Sequence, residues 1–139
     1  MSGYRAVLDT CVIIAGLYSS TGASHAALGA LLSGNLKLLL SPTLLFEYED
    51  ILRRKQEMLG LSHEEIEVIL NQFCAAAECR RVNFLWRPRL RDAADDHLVE
   101  LALAAGGVLV VTHNVKHFKD LEDLGIQVMT PQKLLKEIL

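Results

Sequence analysis

Apolar positions come in short blocks separated by longer amphipathic stretches. Ala6-Val7-Leu8 suits a strand buried on both faces, with Asp9 at its C-terminal tip and Val12 resuming the apolar run. Leu36 to Leu40 is a second strand of this kind, and Arg80 to Leu85 predicts a short third strand near an edge. Val108-Leu109-Val110-Val111-Thr112 is the cleanest run, ending in a hydroxyl and followed by His113-Asn114. Ile126 to Thr130 predicts the last strand, and Pro131 to Leu139 the last helix.

The stretches between follow helical spacing. Gly16 to Gly22 predicts a loop, and Ser24 an N-cap for a helix through Leu32 that Ser33-Gly34 ends. Ser41-Pro42 is a cap with proline at the first helical position, followed by a buried stripe of Leu44, Leu45, Tyr48, Ile51 and Leu52. Glu47 borders that stripe, within two turns of the strand tip. Ser62-His63-Glu64-Glu65 is a capping box before an apolar face of Ile66, Ile69, Leu70 and Phe73. A polar segment, Arg87 to Asp96, leads into a helix from Asp96 or His97 to Ala105, with Leu98, Leu101, Ala102 and Ala105 inward. Gly106-Gly107 ends it. Strands alternate with helices throughout, which predicts a parallel α/β sheet with helices on both faces.

The chain of 139 residues fits one domain spanning 1–139, with no internal repeat or linker. At 51% apolar and 22% charged residues it is globular and not disordered. Cys11, Cys74 and Cys79 show no C-x-x-C pairing, so reduced, buried thiols and a cytoplasmic location are expected. No signal peptide or transmembrane segment is evident, and no membrane partner is expected. A net charge of −3 denies the chain a global basic footprint and leaves room for a local one.

Candidate chemistry gathers at one rim of the predicted sheet: Asp9, Glu47, Asp95-Asp96 and Thr112 to Asn114. Asp9 or Thr10 can serve as a plain helix cap. Acids at a helix start also complement its dipole, but a cap needs one carboxylate, and Asp92, Asp95 and Asp96 exceed that need. Like charges about 4 Å apart repel by about 4 kcal/mol at an effective dielectric of about 20, so gathered carboxylates call for a counter-charge or raised pKa values. Oxygen ligands point to Mg²⁺ or Mn²⁺ and to metal-assisted phosphoryl chemistry. Arg53, Arg54, Arg87, Arg89 and Arg91 are candidate phosphate contacts. Dipole compensation accounts equally for Arg53-Arg54-Lys55. Trp86 is suited to stacking or to loop packing.

In this order and spacing the residues resemble the PIN-domain nucleases, and among them the VapC-like toxin components of toxin–antitoxin pairs. The resemblance rests on Val7-Leu8-Asp9-Thr10, Ser41-Pro42 leading to Glu47, Arg91-Asp92-x-x-Asp95-Asp96, Val110-Val111-Thr112-x-Asn114 with Phe118, Gly125-Ile126 and Thr130-Pro131. It implies a three-layer α/β/α fold around a parallel sheet of four to five strands. It also implies an endoribonuclease dependent on Mg²⁺ or Mn²⁺ that leaves 5′-phosphate and 3′-hydroxyl ends. By position, Asp9, Glu47 and Asp96 are the metal-binding acids, Asp95 shares the role of Asp96, and Asn114 keeps an oxygen ligand. Thr112 matches the family's hydroxyl, and Asp92 pairs with Arg91 or its loop. Single-stranded or structured RNA, an antitoxin protein and a second copy are the implied partners. Leu31-Leu32 or Ile66, Ile69 and Leu70 are candidates for the interface with a second copy, although a monomeric core accounts for them too.

Two positions depart from the family pattern: Cys11 replaces Asn or Ser, and Asn114 replaces an acid. They leave open a degenerate PIN domain that binds RNA or a protein without cleavage. A haloacid-dehalogenase-like phosphatase is disfavoured because Asp9-Thr10-Cys11 lacks its second Asp, and a receiver domain because the acid pair is missing. His113 and His117 lack the glutamate of an H-E-x-x-H zinc site. His25, His63 and His97 are expected at the surface or beside caps.

Overall fold

The apolar blocks become strands of one parallel sheet. The computed structural model describes residues 4–80, 96–106, 109–118 and 125–138, with the side chains of Asp96 and His117 outside the description. Strands β1 (Tyr4–Leu8), β2 (Leu36–Leu40), β3 (Ala77–Cys79), β4 (Leu109–Val111) and β5 (Val128–Met129) lie in the order β3-β2-β1-β4-β5, every pairing parallel. Ala6, Val7 and Leu8 in the central β1 are fully buried, as a strand covered on both faces must be. The chain builds outward from β1 to β3, then crosses back to place β4 and β5 on the other side. Strand order therefore reverses between β1 and β4, and doubly wound sheets open their crevice outside the carboxyl ends of such a pair.

Among the described residues the helices are α1 (Thr10–Tyr18), α2 (Ala23–Ser33), α3 (Pro42–Arg54), α4 (Gln56–Leu59), α5 (His63–Ala76), α6 (Asp96–Ala104) and α7 (Pro131–Ile138). Local chemistry sets several ends as the sequence predicts. Ser41 Oγ accepts from the Leu44 amide at 3.1 Å with Pro42 opening α3, and Ser62 and Glu65 form a complete capping box. Gly34 ends α2 at φ 90°, the left-handed conformation that favours glycine.

Other predicted features shift. Gly16 to Gly22 is not a loop throughout, because α1 continues to Tyr18 with Gly16 buried inside it. The chain bends by 100° between α1 and α2, and Gly16 is where they press together. A Cβ there would lie 2.6 Å from Leu28 Cδ1 and 2.9 Å from the Ser24 carbonyl oxygen. This glycine permits close packing and does not break the helix. Gly22, not Ser24, is the N-cap of α2, and Ser24 is buried as the second residue of the helix. The third strand is Ala77–Cys79, earlier than the expected Arg80 to Leu85 but at the edge as expected, with the Arg80 amide still donating to Leu40 O at 2.7 Å. Residues 81–95, with Trp86, Arg87, Arg89, Arg91, Asp92 and Asp95, lie outside the described residues.

The core confirms the apolar faces of α3 and α5. Leu44, Tyr48 and Leu52 are fully buried beside Ile66 and Phe73, and Tyr48 meets Phe73 edge-on at 5.8 Å. Leu31, Ile66 and Leu70 are core residues here, which removes them from a free interface; Leu32 remains exposed. Cys74 and Cys79 are exposed and Cys11 is half-buried, so buried thiols hold only in part. Tyr48 does more than fill space, since its hydroxyl donates to Leu8 O at 2.5 Å and ties α3 to the tip of β1.

Two substitutions test this packing. Gly16→Ala should destabilise the fold by about 1–3 kcal/mol in urea unfolding, because overlap with α2 outweighs the helix propensity gained. Gly29→Ala, in α2 with nothing within 4 Å of the added carbon, should stabilise by about 0.5–1 kcal/mol. A gain at Gly16 would refute the close contact. Tyr48→Phe should cost about 1–3 kcal/mol by leaving the Leu8 carbonyl without its buried donor.

Candidate active site

The crevice outside β1 and β4 is built from residues next to strand ends. The Asp9 amide donates to Val111 O at 2.9 Å, extending the β1–β4 ladder one residue beyond the strand. This fixes Asp9 at the N-cap position of α1, yet its carboxylate caps nothing. Instead Thr112 Oγ1 donates to Asp9 Oδ2 at 2.7 Å, across the point where strand order reverses. Thr10 Oγ1 lies 3.5 Å from the other carboxylate oxygen. Asp9 is only 6% exposed and Thr112 is fully buried.

The hydroxyl of Thr112 is held from several sides. It accepts from the Asn114 amide at 3.0 Å and lies 3.6 Å from Cys11 Sγ, which itself accepts from the His113 amide at 3.4 Å. An ionised carboxylate can only accept, so the Thr112 proton points to Asp9 and the thiol is left to donate to Thr112. Burial, and then the charge of Asp9, push the Cys11 thiol above its ordinary pKa, consistent with a protonated S–H. Cys11 thus occupies a place in this network that a hydroxyl or amide side chain could also fill.

Glu47 lies half-buried on α3, where Oε2 meets His97 Nε2 of α6 at 2.8 Å. His97 lies beside the start of α6, one of the two places expected for it, and its bond to Glu47 brings it into the site. Its neighbour Asp96 opens α6. Burial drives the Tyr48 phenol well above the usual tyrosine range, and the charges of Asp9 and Glu47 act in the same direction. The two acids thus bear on one buried hydroxyl. His113, which follows the end of β4, bonds Ser24 Oγ through Nε2 at 2.9 Å and fastens this segment to α2. Tyr48, His97 and Ser24 are contributions that the sequence pattern hid: each stood where core packing or capping was a sufficient explanation.

The donor set suits a hard cation. Among the described residues Asp9 has hydroxyl partners and no cationic one, and a buried carboxylate without a counter-charge costs several kcal/mol. Asp9 and Glu47 offer carboxylate oxygens, which favour Mg²⁺ or Mn²⁺ over softer ions. Among the described residues no three His, Cys, Asp or Glu side chains are grouped for a metal. Asp95 and the Asp96 side chain are outside that description.

The basic residues expected to hold RNA have diverse surroundings. Arg53 pairs with Glu49 at 3.0 Å and Glu67 at 2.5 Å, and Arg54 with Asp50 at 2.7 Å. Lys55, next in the chain, is exposed and makes no ion pair among the described residues.

A family model for the PIN domain matches residues 5–116. Among curated proteins none matches the chain. Among solved structures, a chain of VapBC2 from Rickettsia felis, crystallised with a DNA fragment from the promoter, superposes with a TM-score of 0.59 at 14% identity. The match covers 91% of this chain and 98% of that one. That likeness establishes a shared fold, in agreement with the parallel sheet and the order of its strands. The family match spans β1 through the residues after β4, and thus both strands that frame the crevice, so the chain belongs to the PIN domain family.

Proposed function

We propose that this chain, as one domain over residues 1–139, is a divalent-metal-dependent endoribonuclease and the toxin of a toxin–antitoxin pair. The observation that carries the proposal is the Asp9 carboxylate, buried at the β1–β4 crevice and held by hydroxyl groups with no cation paired to it among the described residues. Membership in the PIN family supports nuclease chemistry. The fold shared with VapBC2, a complex crystallised with DNA, supports an antitoxin-like protein partner and a role of this kind.

Asp9, Glu47 and Asp96 would hold Mg²⁺ or Mn²⁺, with Asp95 and Asn114 contributing further oxygen ligands. A bound divalent ion lowers the pKa of water and offsets charge on phosphate oxygens. The chain's own residues supply the rest. Thr112 fixes one Asp9 oxygen, and Tyr48 anchors the backbone just before it. His97 holds one oxygen of Glu47 and so limits that side chain's freedom. The Arg53, Arg54, Arg87, Arg89 and Arg91 side chains are candidate contacts to the RNA backbone. A homo-oligomer in the cytoplasm completes the proposal.

Incubation with single-stranded and structured RNAs should give cleavage with Mn²⁺ or Mg²⁺ and none with EDTA. Thr112→Val should lower the rate by about 10–100-fold, the range for residues that orient a metal ligand, and Asp9→Asn by more. Cutting that persists in EDTA would overturn the metal requirement. Absence of both cutting and metal binding would favour a non-cleaving RNA- or protein-binding PIN domain.

Mn²⁺ should also raise the melting temperature, with about 2.7 kcal/mol of added stability at about 100 times Kd. Asp96→Asn should remove that shift. An unchanged melting curve for the parent protein would rule out the metal site.

A further inference from the structure

We propose that the groove between α1 and the α3–α4 junction is a nucleotide subsite, in which the base of single-stranded RNA lies against Tyr18 and Met58 while Lys55 contacts the adjoining phosphate. This rests on the nuclease assignment and extends it to the placement of the substrate. The groove has a volume of about 400 Å³ and is lined by Thr10, Cys11, Ile14, Tyr18, Lys55 and Met58, among others.

Three features on this surface suit an unpaired nucleotide. First, its lining includes Thr10 and Cys11, whose side chains also lie against Asp9 and Thr112, so the groove adjoins the crevice. Second, its apolar lining is not closed over by the fold: Tyr18 is 65% exposed and Met58 49%. An exposed aromatic ring is a platform for any base, whatever its hydrogen-bonding edge. Third, the charge is local and complementary. Of Arg53, Arg54 and Lys55, the two arginines are engaged by carboxylates of α3 and α5, whereas Lys55 has no carboxylate partner among the described residues and lines the groove. A cation beside an apolar slot fits a ligand with a flat apolar face and an attached anion.

Fluorescence anisotropy in EDTA separates binding from cutting. The probes are a fluorescein-labelled oligouridylate and an abasic phosphoribose oligomer of equal length. The parent protein should bind the oligouridylate about tenfold more tightly, within the range for one stacked base. Tyr18→Ala should erase that difference, and Lys55→Gln should reduce the slope of log affinity against log salt by about 0.7, one single-strand phosphate contact. Lys37→Gln, an exposed lysine on β2, should alter neither. Equal affinity for the two probes, failure to bind either, or Tyr18→Ala without effect on RNA would overturn the subsite. So would a change of oligomeric state in Tyr18→Ala with RNA affinity intact, because a second copy would then occupy the groove. Base-dependent binding without metal-dependent cleavage would uphold the subsite and overturn the nuclease assignment alone.

Discussion

The hydrogen bond from Thr112 to Asp9 is the constraint on which the rest of the site depends. It joins the ends of two neighbouring strands that the chain reaches 103 residues apart. A buried carboxylate is costly, and one strong hydroxyl donor offsets only part of that cost. The surrounding structure accordingly spends several groups on holding that donor: the Asn114 amide, the Cys11 thiol and, at one remove, the His113 amide. Tyr48 secures the other side through the Leu8 carbonyl. The carboxylate is thereby kept in one orientation without being neutralised by a protein cation among the described residues.

Strands β1, β2 and β4 were legible in the sequence because they are largely buried and read as apolar runs, whereas the half-exposed edge strand β3 was expected further along the chain. Ser41-Pro42 and Ser62 to Glu65 were legible because their chemistry is local, each cap involving residues three apart. What failed depended on contacts made at a distance. Gly16 looks like a loop residue until α2 is placed against it, since nothing in its neighbourhood in sequence announces Leu28 and the Ser24 carbonyl. Ser24 looks like a cap because that is the commonest use of serine near a helix start. Its actual partner, His113, lies 89 residues away.

The same distinction applies to the site. Asp9 stood out because a carboxylate interrupts an apolar run, and Thr112 because it ends one. His97 did not stand out, because a histidine near a helix start has many ordinary explanations and Glu47 is 50 residues removed. The arginines, too, have partners that their own run does not announce. A basic run in sequence suggests a phosphate clamp, but Glu49, Asp50 and Glu67 meet two of its three charges. Counting cations overstates the charge available to a ligand where the fold supplies matching anions.

The strand order also has a consequence for the timing of folding. β1 is made before the other strands of the sheet and lies at its centre, yet its neighbour on one side, β4, is synthesised only after β2 and β3. Long-range pairings of this kind form slowly, and a growing chain cannot form them before the later strand exists. Until Val111 and Thr112 have left the ribosome, Asp9 lacks both its backbone partner and its hydroxyl donor. A chain terminated early, even one that has completed β1, β2 and β3, therefore carries the first acid of the site without the geometry that makes it useful. Under the ribonuclease activity proposed above, that order of assembly would keep unfinished copies silent beside the transcripts being translated.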